Sequence, residues 1–365
     1  MNPPDALLRQ LRASAATLRR VSEGYSGAGV WSVQSDSGKL ALKAWTPRFD
    51  LSQVQRFHRL QSMTALMPRL VPLASGRTFQ CFDGVVWEAA HWQNGRHADI
   101  DAPVAIQRAG VEAIADIHAA WSRSDVPKVA PERSETLSAR RAAAERTFQW
   151  LRHGFVDGTS FGDPVLNQAS TWISRYGLLG CERVGRVVKR LAPVVRPTQF
   201  VLRDIHRDHV LFDDGTVTSV LDMDAVAFDH PIVDIARWWG SFTVRGPDDL
   251  QGRLMKDDVE TDGLVSLTSE LADALAAYRR RWTLHLGTDP EAFAGPIFDS
   301  FGETSDVRTW ATIASEIMQS TAWLSLVRWF RWETEPGNPM RHLDRPRRHA
   351  RLRHWLTQSE AFAPR

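Results

Sequence analysis

Residues 200–234 read FVLRDIHRDHVLFDDGTVTSVLDMDAVAFDHPIVD, and this stretch decides the fold of the chain. Two apolar runs, at 199–202 and at 218–221, each lead into an aspartate. A third apolar run ends in Asp213-Asp214-Gly215, which is a strong signal for a hairpin turn. A hairpin turn brings its flanking strands side by side, so the stretch predicts paired strands with acidic residues at their ends.

The two aspartates that follow the apolar runs are Asp204 and Asp222, and His209 lies between them in the sequence. The hairpin predicts that Asp204 and Asp222 lie near one end of one small sheet. Phosphoryl transfer needs a carboxylate that orients and deprotonates a hydroxyl, and ligands that hold Mg²⁺ on nucleotide phosphates. An aspartate at a strand end is more often a turn or cap residue. The combination around a hairpin is more specific than any single motif and favours the chemical interpretation.

This stretch resembles the catalytic and metal-binding segments of the aminoglycoside phosphotransferase and protein-kinase-like superfamily. Arg203-Asp204 resembles the RD pair of the family's catalytic loop, which implies that Asp204 accepts the proton of the substrate hydroxyl. His209 falls where the family has a metal-binding Asn, and Asp222 falls where it has the aspartate that binds Mg²⁺. The segment 229–234 resembles the one that buttresses the loop. Imidazole suits Mg²⁺ less well than an oxygen ligand does, which leaves three alternatives. The site could prefer another metal such as Mn²⁺, it could bind one Mg²⁺ instead of two, or His209 could act on the metal through a water molecule.

A glycine-rich segment with Gly24, Gly27 and Gly29 precedes a β-prone strand that carries Lys43. In the kinase-like family such a hairpin covers the phosphates of ATP with backbone N–H groups, and the lysine neutralises charge. A flexible surface hairpin with a solvated lysine is the alternative. The position of these features upstream of Asp204 favours nucleotide binding.

The segment 77–92 contains a DG turn between two β-prone runs and predicts a further hairpin. Its second strand resembles the hinge of the family, where main-chain groups bind adenine, and the resemblance implies that Glu88 and Ala90 contribute to cofactor binding. An exposed strand edge is the alternative for the side chain of Glu88.

The helix predicted over residues 51–67 contains no acidic residue. The corresponding helix of the family supplies a glutamate that pairs with the lysine. Gln55, His58 or Gln61 could bond Lys43 in its place. The missing glutamate and the histidine at residue 209 also support a rival interpretation, a catalytically impaired pseudo-kinase that binds nucleotide and acts through a protein partner. The presence of Asp204, Asp222 and Lys43 opposes it.

The resemblance implies an α+β, bilobal protein-kinase-like fold. The small β-rich N-terminal lobe is expected over residues 1–93, and the larger, mostly helical lobe over residues 94–365. Apolar periodicity predicts amphipathic helices at 4–20, 102–121, 134–153, 165–192, 235–242, 262–284 and 307–333.

Several side chains on these helices carry alternative interpretations. His118 is expected to be a packed, hydrogen-bonded residue rather than a ligand. The arginines of helix 134–153 could form a phosphate-binding face, although a solvated face paired with glutamates is favoured. The tryptophans of the last helix could form a cage for a cationic substrate, or else belong to the core. The arginines are Arg140, Arg141, Arg146 and Arg152. The tryptophans are Trp310, Trp323, Trp329 and Trp332.

Composition narrows the classes of function. The formal net charge of +2 gives no signal for a polyanion partner, so nucleic-acid binding is not expected. The chain has no apolar run long enough to span a membrane, and its start lacks the core of a secretion signal. Cys81 and Cys181 are isolated in the sequence, which fits a reducing cytoplasm.

The reaction that the resemblance implies transfers the γ-phosphoryl of ATP or GTP, with Mg²⁺ or Mn²⁺, to a hydroxyl of a small molecule. The resemblance implies that the acceptor is an aminoglycoside, an amino sugar, a choline-like alcohol or a related metabolite such as a homoserine-like amino acid or a fructosamine. The oligomeric state is left open.

Overall fold

A computed structural model describes residues 2–23, 28–45, 49–126, 131–155, 159–242, 262–287, 307–335 and 345–361. Internal contacts divide the chain into two compact units. Unit 1 comprises Met1–Ala98, Ala120–Pro127 and Asp208–Val226, and unit 2 comprises Asp99–Ala119, Lys128–Arg207 and Ala227–Arg365. Unit 1 is rich in strands and unit 2 in helices, so the expected α+β class is confirmed. The lobe boundary predicted between residues 93 and 94 stays a prediction.

The strands are β1 (Arg19–Glu23), β2 (Gly29–Ser35), β3 (Gly38–Ala44), β4 (Phe79–Phe82), β5 (Val85–His91), β6 (Arg96–His97), β7 (Gln199–Val201), β8 (Val210–Asp213), β9 (Thr216–Val220) and β10 (Ala227–Asp229). The α-helices are α1 (Asp5–Gln10), α2 (Leu51–Gln61), α3 (Val104–Ser122), α4 (Glu135–His153), α5 (Pro164–Leu191), α6 (Ile232–Trp239), α7 (Asp262–Leu286), α8 (Val307–Thr334) and α9 (Arg345–Ala361).

The main sheet of unit 1 is antiparallel, in the order β1-β2-β3-β5-β4. One of its faces is apolar, with Trp31, Leu40, Leu42 and Trp87 buried in one cluster that also contains Leu7 of α1. Burial of these side chains stabilises the sheet, because each removes a large apolar area from water. The sheet holds β3 and β5 side by side and thereby positions Lys43 opposite Glu88.

The prediction of a helix over residues 4–20 is correct only for its first two turns and wrong for the rest. Helix α1 ends at Gln10, and Arg12 adopts a left-handed conformation with φ of 49°. The N–H of Ser14 then donates to the carbonyl of Gln34, and Ala13 forms a bridge with Ser35. Pairing with the sheet therefore competes successfully with the helical propensity of this segment.

The hairpin predicted around Asp213-Asp214-Gly215 is confirmed. Strands β8 and β9 pair across it, and Asp214 and Gly215 have φ of 43° and 76°. The prediction that one sheet holds both aspartates is wrong. Strand β9 belongs to a sheet in the order β6-β8-β9, whereas β7, which precedes Asp204, pairs with β10. The long-range pairing of β7 with β10 takes the place of the local pairing that the sequence suggested.

Unit 2 consists mainly of helices that match the predicted segments, with α3, α4, α5, α7 and α8 within a few residues of their expected bounds. In helix α8, Trp310, Trp323 and Trp329 are nearly inaccessible to solvent, whereas Trp332 is half-buried. The core interpretation is confirmed for the first three tryptophans. Across the described segments, no helix is both long enough and apolar enough to cross a membrane.

Candidate active site

Lys43 lies in unit 1 among three carboxylates. Its Nζ bonds to Oδ1 of Asp224 and lies 3.5 Å from Oδ1 of Asp222. Glu88 faces Lys43 across the β3–β5 pair. The ring of Trp45 lies 4.2 Å from Nζ and covers the ammonium group from another side. The strand lysine is thus held by acidic residues that come from two distant parts of the sequence.

Asp222 and His209 lie beside each other. The N–H of Leu221 donates to the carbonyl of His209 at 2.7 Å, which joins the ends of their two segments. Asp222 Oδ2 lies 3.8 Å from His209 Nε2, and Asp222 Oδ1 accepts from the N–H of Asp224 at 3.0 Å. Asp222 has φ of 64°, a left-handed conformation that costs free energy for a residue with a side chain and is common at functional sites.

Lys43, Asp222 and Asp224 shift one another's pKa values through their charges. Burial alone would lower the pKa of Lys43, but Asp222, Asp224 and Glu88 together raise it above its ordinary value. Desolvation opposes ionisation of Asp222, yet Lys43 and then His209 hold its pKa well below the usual range. Desolvation raises the pKa of Asp224, although Lys43 partly opposes the rise. The group is therefore an ammonium between two carboxylates of unequal acidity.

The donor set suits a divalent cation that also binds phosphate. Asp222 offers carboxylate oxygens, which hard cations prefer, and His209 offers an imidazole nitrogen. In the described part of the chain, no cluster of three or more His, Cys, Asp or Glu side chains could hold a metal on its own. A cation held by Asp222 and His209 would therefore need further ligands, such as phosphate oxygens and water.

Glu88 is buried and has partners from a strand and a helix. It accepts a hydrogen bond of 2.5 Å from Nε1 of Trp45, and its Oε2 lies 2.6 Å from Nε2 of His58 in α2. Burial works to raise the pKa of Glu88, but His58 and then Lys43 lower it below its ordinary value. In the described residues, Gln55, His58 and Gln61 make no bond to Lys43, so that expectation is wrong. Helix α2 instead reaches the lysine through His58 and Glu88.

The other predicted cofactor-binding residues of unit 1 have mixed outcomes. Ala90 lies inside β5, paired with Ala41 on one side and bridged to Leu70 on the other. The adenine contacts expected of Glu88 and Ala90 stay predictions. Gly24 and Gly27 lie outside the described residues.

Gly29 begins β2, and a Cβ there would lie 2.1 Å from the ring of Trp31. This close approach explains why glycine is needed at residue 29. It is a packing reason, independent of any nucleotide.

Asp204 lies in unit 2 with an arginine as its partner. Nε and Nη2 of Arg237, in α6, donate to Asp204 Oδ1 at 3.0 and 2.7 Å. The carboxylate side chain is 51% exposed, so solutes can reach it. The preceding residue, Arg203, has φ of 64°, and its Nη1 donates to Glu135 at 2.7 Å. Two arginines thus fix the loop and the orientation of its aspartate.

Asp234 holds the loop that carries Asp204 through hydrogen bonds to its backbone. Its two carboxylate oxygens accept from the N–H groups of Leu202, at 2.7 Å, and Arg203, at 2.6 Å. Asp234 is inaccessible to solvent and also lies 2.9 Å from Nε2 of His118, whose Nδ1 lies 2.9 Å from the hydroxyl of Tyr278. His118 is therefore a packed residue, as expected. Backbone bonds to Asp234 hold the loop although Leu202 offers no polar side chain.

Sequence reasoning missed Asp224 and Arg237. The signal for Asp224 was its place two residues after Asp222, which allows both carboxylates to reach one cation. Arg237 had no such signal, because only the fold of unit 2 brings α6 to the loop that carries Asp204.

The chain is similar to known proteins. Residues 17–264 match the model of the Phosphotransferase enzyme family. No curated protein sequence matches the chain.

Solved structures share the fold at low sequence identity. A spectinomycin phosphotransferase in complex with ADP and spectinomycin has a TM-score of 0.57 at 10% identity, over 95% of this chain and 92% of that one. A choline kinase from Cryptosporidium parvum has a TM-score of 0.52 at 11% identity, over 94% and 88% of the two chains. An aminoglycoside phosphotransferase from Alicyclobacillus acidocaldarius has a TM-score of 0.51 at 14% identity, over 99% and 93%.

Proposed function

Because the chain belongs to the Phosphotransferase enzyme family, we propose that it transfers the γ-phosphoryl group of ATP or GTP to a hydroxyl of a small molecule. The observation that carries this proposal is the contact of Lys43 with Asp222 and Asp224, beside His209. A cation on a strand next to carboxylates that can bind Mg²⁺ is the pairing that nucleotide phosphates require.

The residues of unit 1 would bind the nucleotide. Lys43 would neutralise phosphate charge, and Asp222 with His209 would hold Mg²⁺. When bound, Mg²⁺ would supply positive charge to the phosphates and stabilise the charge that develops during transfer. Asp224 would keep the ammonium of Lys43 in place. The gathered carboxylates otherwise repel each other, which is consistent with a site made to receive a cation.

Asp204 would orient the hydroxyl of the acceptor and accept its proton. Its exposed carboxylate and its position in a rigid loop support this role. A base held by hydrogen bonds loses little entropy when the hydroxyl arrives. Arg237 would set the direction of the carboxylate through its two bonds to Oδ1.

The names of the structural relatives support a small-molecule acceptor and the use of a nucleotide, since one of them is in complex with ADP and spectinomycin. The carboxylates around Lys43 take the place of the missing helix glutamate, which is one of the two features that favoured the pseudo-kinase interpretation. The isolated cysteines support a cytoplasmic location.

The test is an ATP- and GTP-consumption screen over hydroxylated metabolites and antibiotics, with Mg²⁺ and Mn²⁺. Asp204→Asn is the blank, because it should remove turnover and leave nucleotide binding intact. Near-normal turnover by Asp204→Asn on an identified acceptor would contradict the assignment of the base. The absence of nucleotide binding in the wild type, with either metal, would overturn the proposed function itself.

A further inference from the structure

Several arginines of unit 2 lie within electrostatic range of one another and of Asp204. One bonds Asp204 directly, and others alter each other's ionisation through their charges. They come from α4, from the loop before Asp204, from α6 and from α8. This arginine cluster consists of Arg140, Arg146, Arg203, Arg237 and Arg328.

Arg140 is the most enclosed member of the arginine cluster. Its Nη2 donates to Oγ1 of Thr321 at 2.7 Å, and its Nη1 donates to the carbonyl of Thr136 at 3.4 Å. Its Nε is buried and finds no acceptor in the described residues. Burial, and then the charge of Arg237, lower the pKa of Arg140 to about 10. Among the described residues the guanidinium donates to neutral oxygens, and the nearby charge of Asp229 offsets its positive charge only in part.

Arg328 is a more exposed member of the arginine cluster. Its guanidinium lies 6.0 Å from the ring of Trp332, and no carboxylate of the described chain bonds it. Partial desolvation, and then the charges of Arg237 and Arg146, lower its pKa, although Asp204 opposes the change. Repulsion between like charges destabilises the folded chain unless an anion is bound.

The carboxylates near the arginine cluster already have other partners. Asp204 is held by Arg237, and Glu135 by Arg203. Asp229 accepts from the N–H and hydroxyl of Thr136 and from the N–H of His230. Positive charge therefore remains in excess around Arg140 and Arg328. Thr321, the partner of Arg140, and Arg237, the partner of Asp204, also line one small pocket, which places them on one surface.

We infer that the arginine cluster is the binding subsite for the acceptor, and that this acceptor carries an anionic group, a carboxylate or a phosphate ester, besides its hydroxyl. The inference rests on the proposed function, because it gives the substrate class of that same site. The planar fork of arginine donates two parallel hydrogen bonds to either anion. The same charges would repel cationic acceptors such as amino sugars and choline-like alcohols.

The first test measures anion binding directly. The full chain, with Mg²⁺ and ADP present, is titrated calorimetrically with inorganic phosphate and, separately, with malonate. Arg140→Gln and Arg328→Gln should each weaken binding about tenfold, since each removes a charge-assisted hydrogen bond. Arg141→Gln is the control, because Arg141 lies in the same helix but is exposed and paired with Glu145.

The two anions separate the two sources of charge. Tighter binding of phosphate assigns a phosphate ester, and tighter binding of malonate assigns a carboxylate. The inference is overturned if neither anion binds at about 10 mM, or if both substitutions leave binding unchanged.

The second test compares acceptors of similar skeleton: glucosamine, glucose, gluconate and glucose 6-phosphate. An anionic member should show at least about a tenfold higher kcat/KM than the neutral and cationic members, and Arg328→Gln should reduce this preference through KM. Preferential turnover of glucosamine would overturn the inference and leave the proposed function standing. If none of the four is turned over, the anion titration decides. Failure of the nucleotide to bind is a separate result that contradicts the proposed function alone.

Discussion

Glu88 makes a pH-dependent contribution to stability that can be measured. Burial works to raise its pKa, but His58, Lys43 and Trp45 together lower the pKa below its ordinary value in the folded chain. Its stabilisation is therefore complete above about pH 4.3, the ordinary value for glutamate, and is lost as pH falls through the folded pKa. Glu88→Gln should lower the free energy of unfolding at pH 7 by about 1–3 kcal/mol. Urea unfolding of both proteins at pH 7 and at several pH values from about 4.3 down to about 2 measures the difference.

The difference between wild type and Glu88→Gln should shrink at the lower pH, since the carboxylate becomes protonated. A difference that is constant with pH would show that packing, and not charge, accounts for the loss. Glu145→Gln is a suitable control, because Glu145 forms an exposed pair within α4. Exposed pairs of this kind contribute less than about 1 kcal/mol.

His209 should influence which metal the protein uses. Its Nε2 lies 3.8 Å from Asp222 Oδ2, close enough for both to contact one cation. His209→Asn replaces an imidazole nitrogen with an amide oxygen, which Mg²⁺ prefers. The ratio of kcat/KM with Mg²⁺ to that with Mn²⁺ should rise about tenfold, a difference of about 1.4 kcal/mol. An unchanged ratio, equal to that of the control His153→Asn, would exclude a direct role in metal binding.

At the scale of the element, α4 depends on its N-terminal cap. Ser134 is buried, and its hydroxyl accepts from the N–H of Leu137 at 3.2 Å. Ser134→Ala leaves that N–H without a partner and should cost about 1 kcal/mol of stability. Ser138→Ala, one turn later, should cost less than about 0.5 kcal/mol. Thermal unfolding of the two variants under identical conditions compares them, and equal midpoints would contradict the capping role.

Local signals predicted the elements better than the pairing between them. The Asp213-Asp214-Gly215 turn is decided by neighbouring residues, and the sequence predicted it. The partner of β7 is decided by a strand far along the chain, which no short pattern reveals. Helix α1 ends early for the same reason, since its termination depends on the edge of a sheet.

At the scale of the whole molecule, nucleotide binding should raise the thermal midpoint. A ligand at about 100 times its Kd stabilises the state that binds it by about 2.7 kcal/mol, which is a shift of a few degrees in a chain of this size. Mg²⁺ with ATP should produce this shift, and ATP with EDTA should produce less. Asp222→Ala should abolish the metal-dependent part. Asp36→Ala, which removes an exposed carboxylate from the same unit, should preserve it.

The candidate site was predictable only in part. The sequence supplied Lys43, Asp204, His209 and Asp222, because each belongs to a pattern of fixed order. The partners of Lys43 and Asp204 were not supplied, because a salt bridge depends on which elements the fold brings together. Arg237 lies in a different element from Asp204 and has no motif of its own.

The division of unit 1 into three separated segments has a consequence for protein synthesis. Strand β6 pairs with β8, and the N–H of Val220 donates to the carbonyl of Leu66. Residues 66 and 96–97 are therefore synthesised long before the residues that pair with them. At a translation rate of about 5–20 residues per second, that delay is on the order of ten seconds. During that time the nascent chain exposes strand edges and apolar surface that have no partner yet. We expect ribosome-bound chains that stop before β8 to associate with chaperones, and chains that extend past β9 to be released from them.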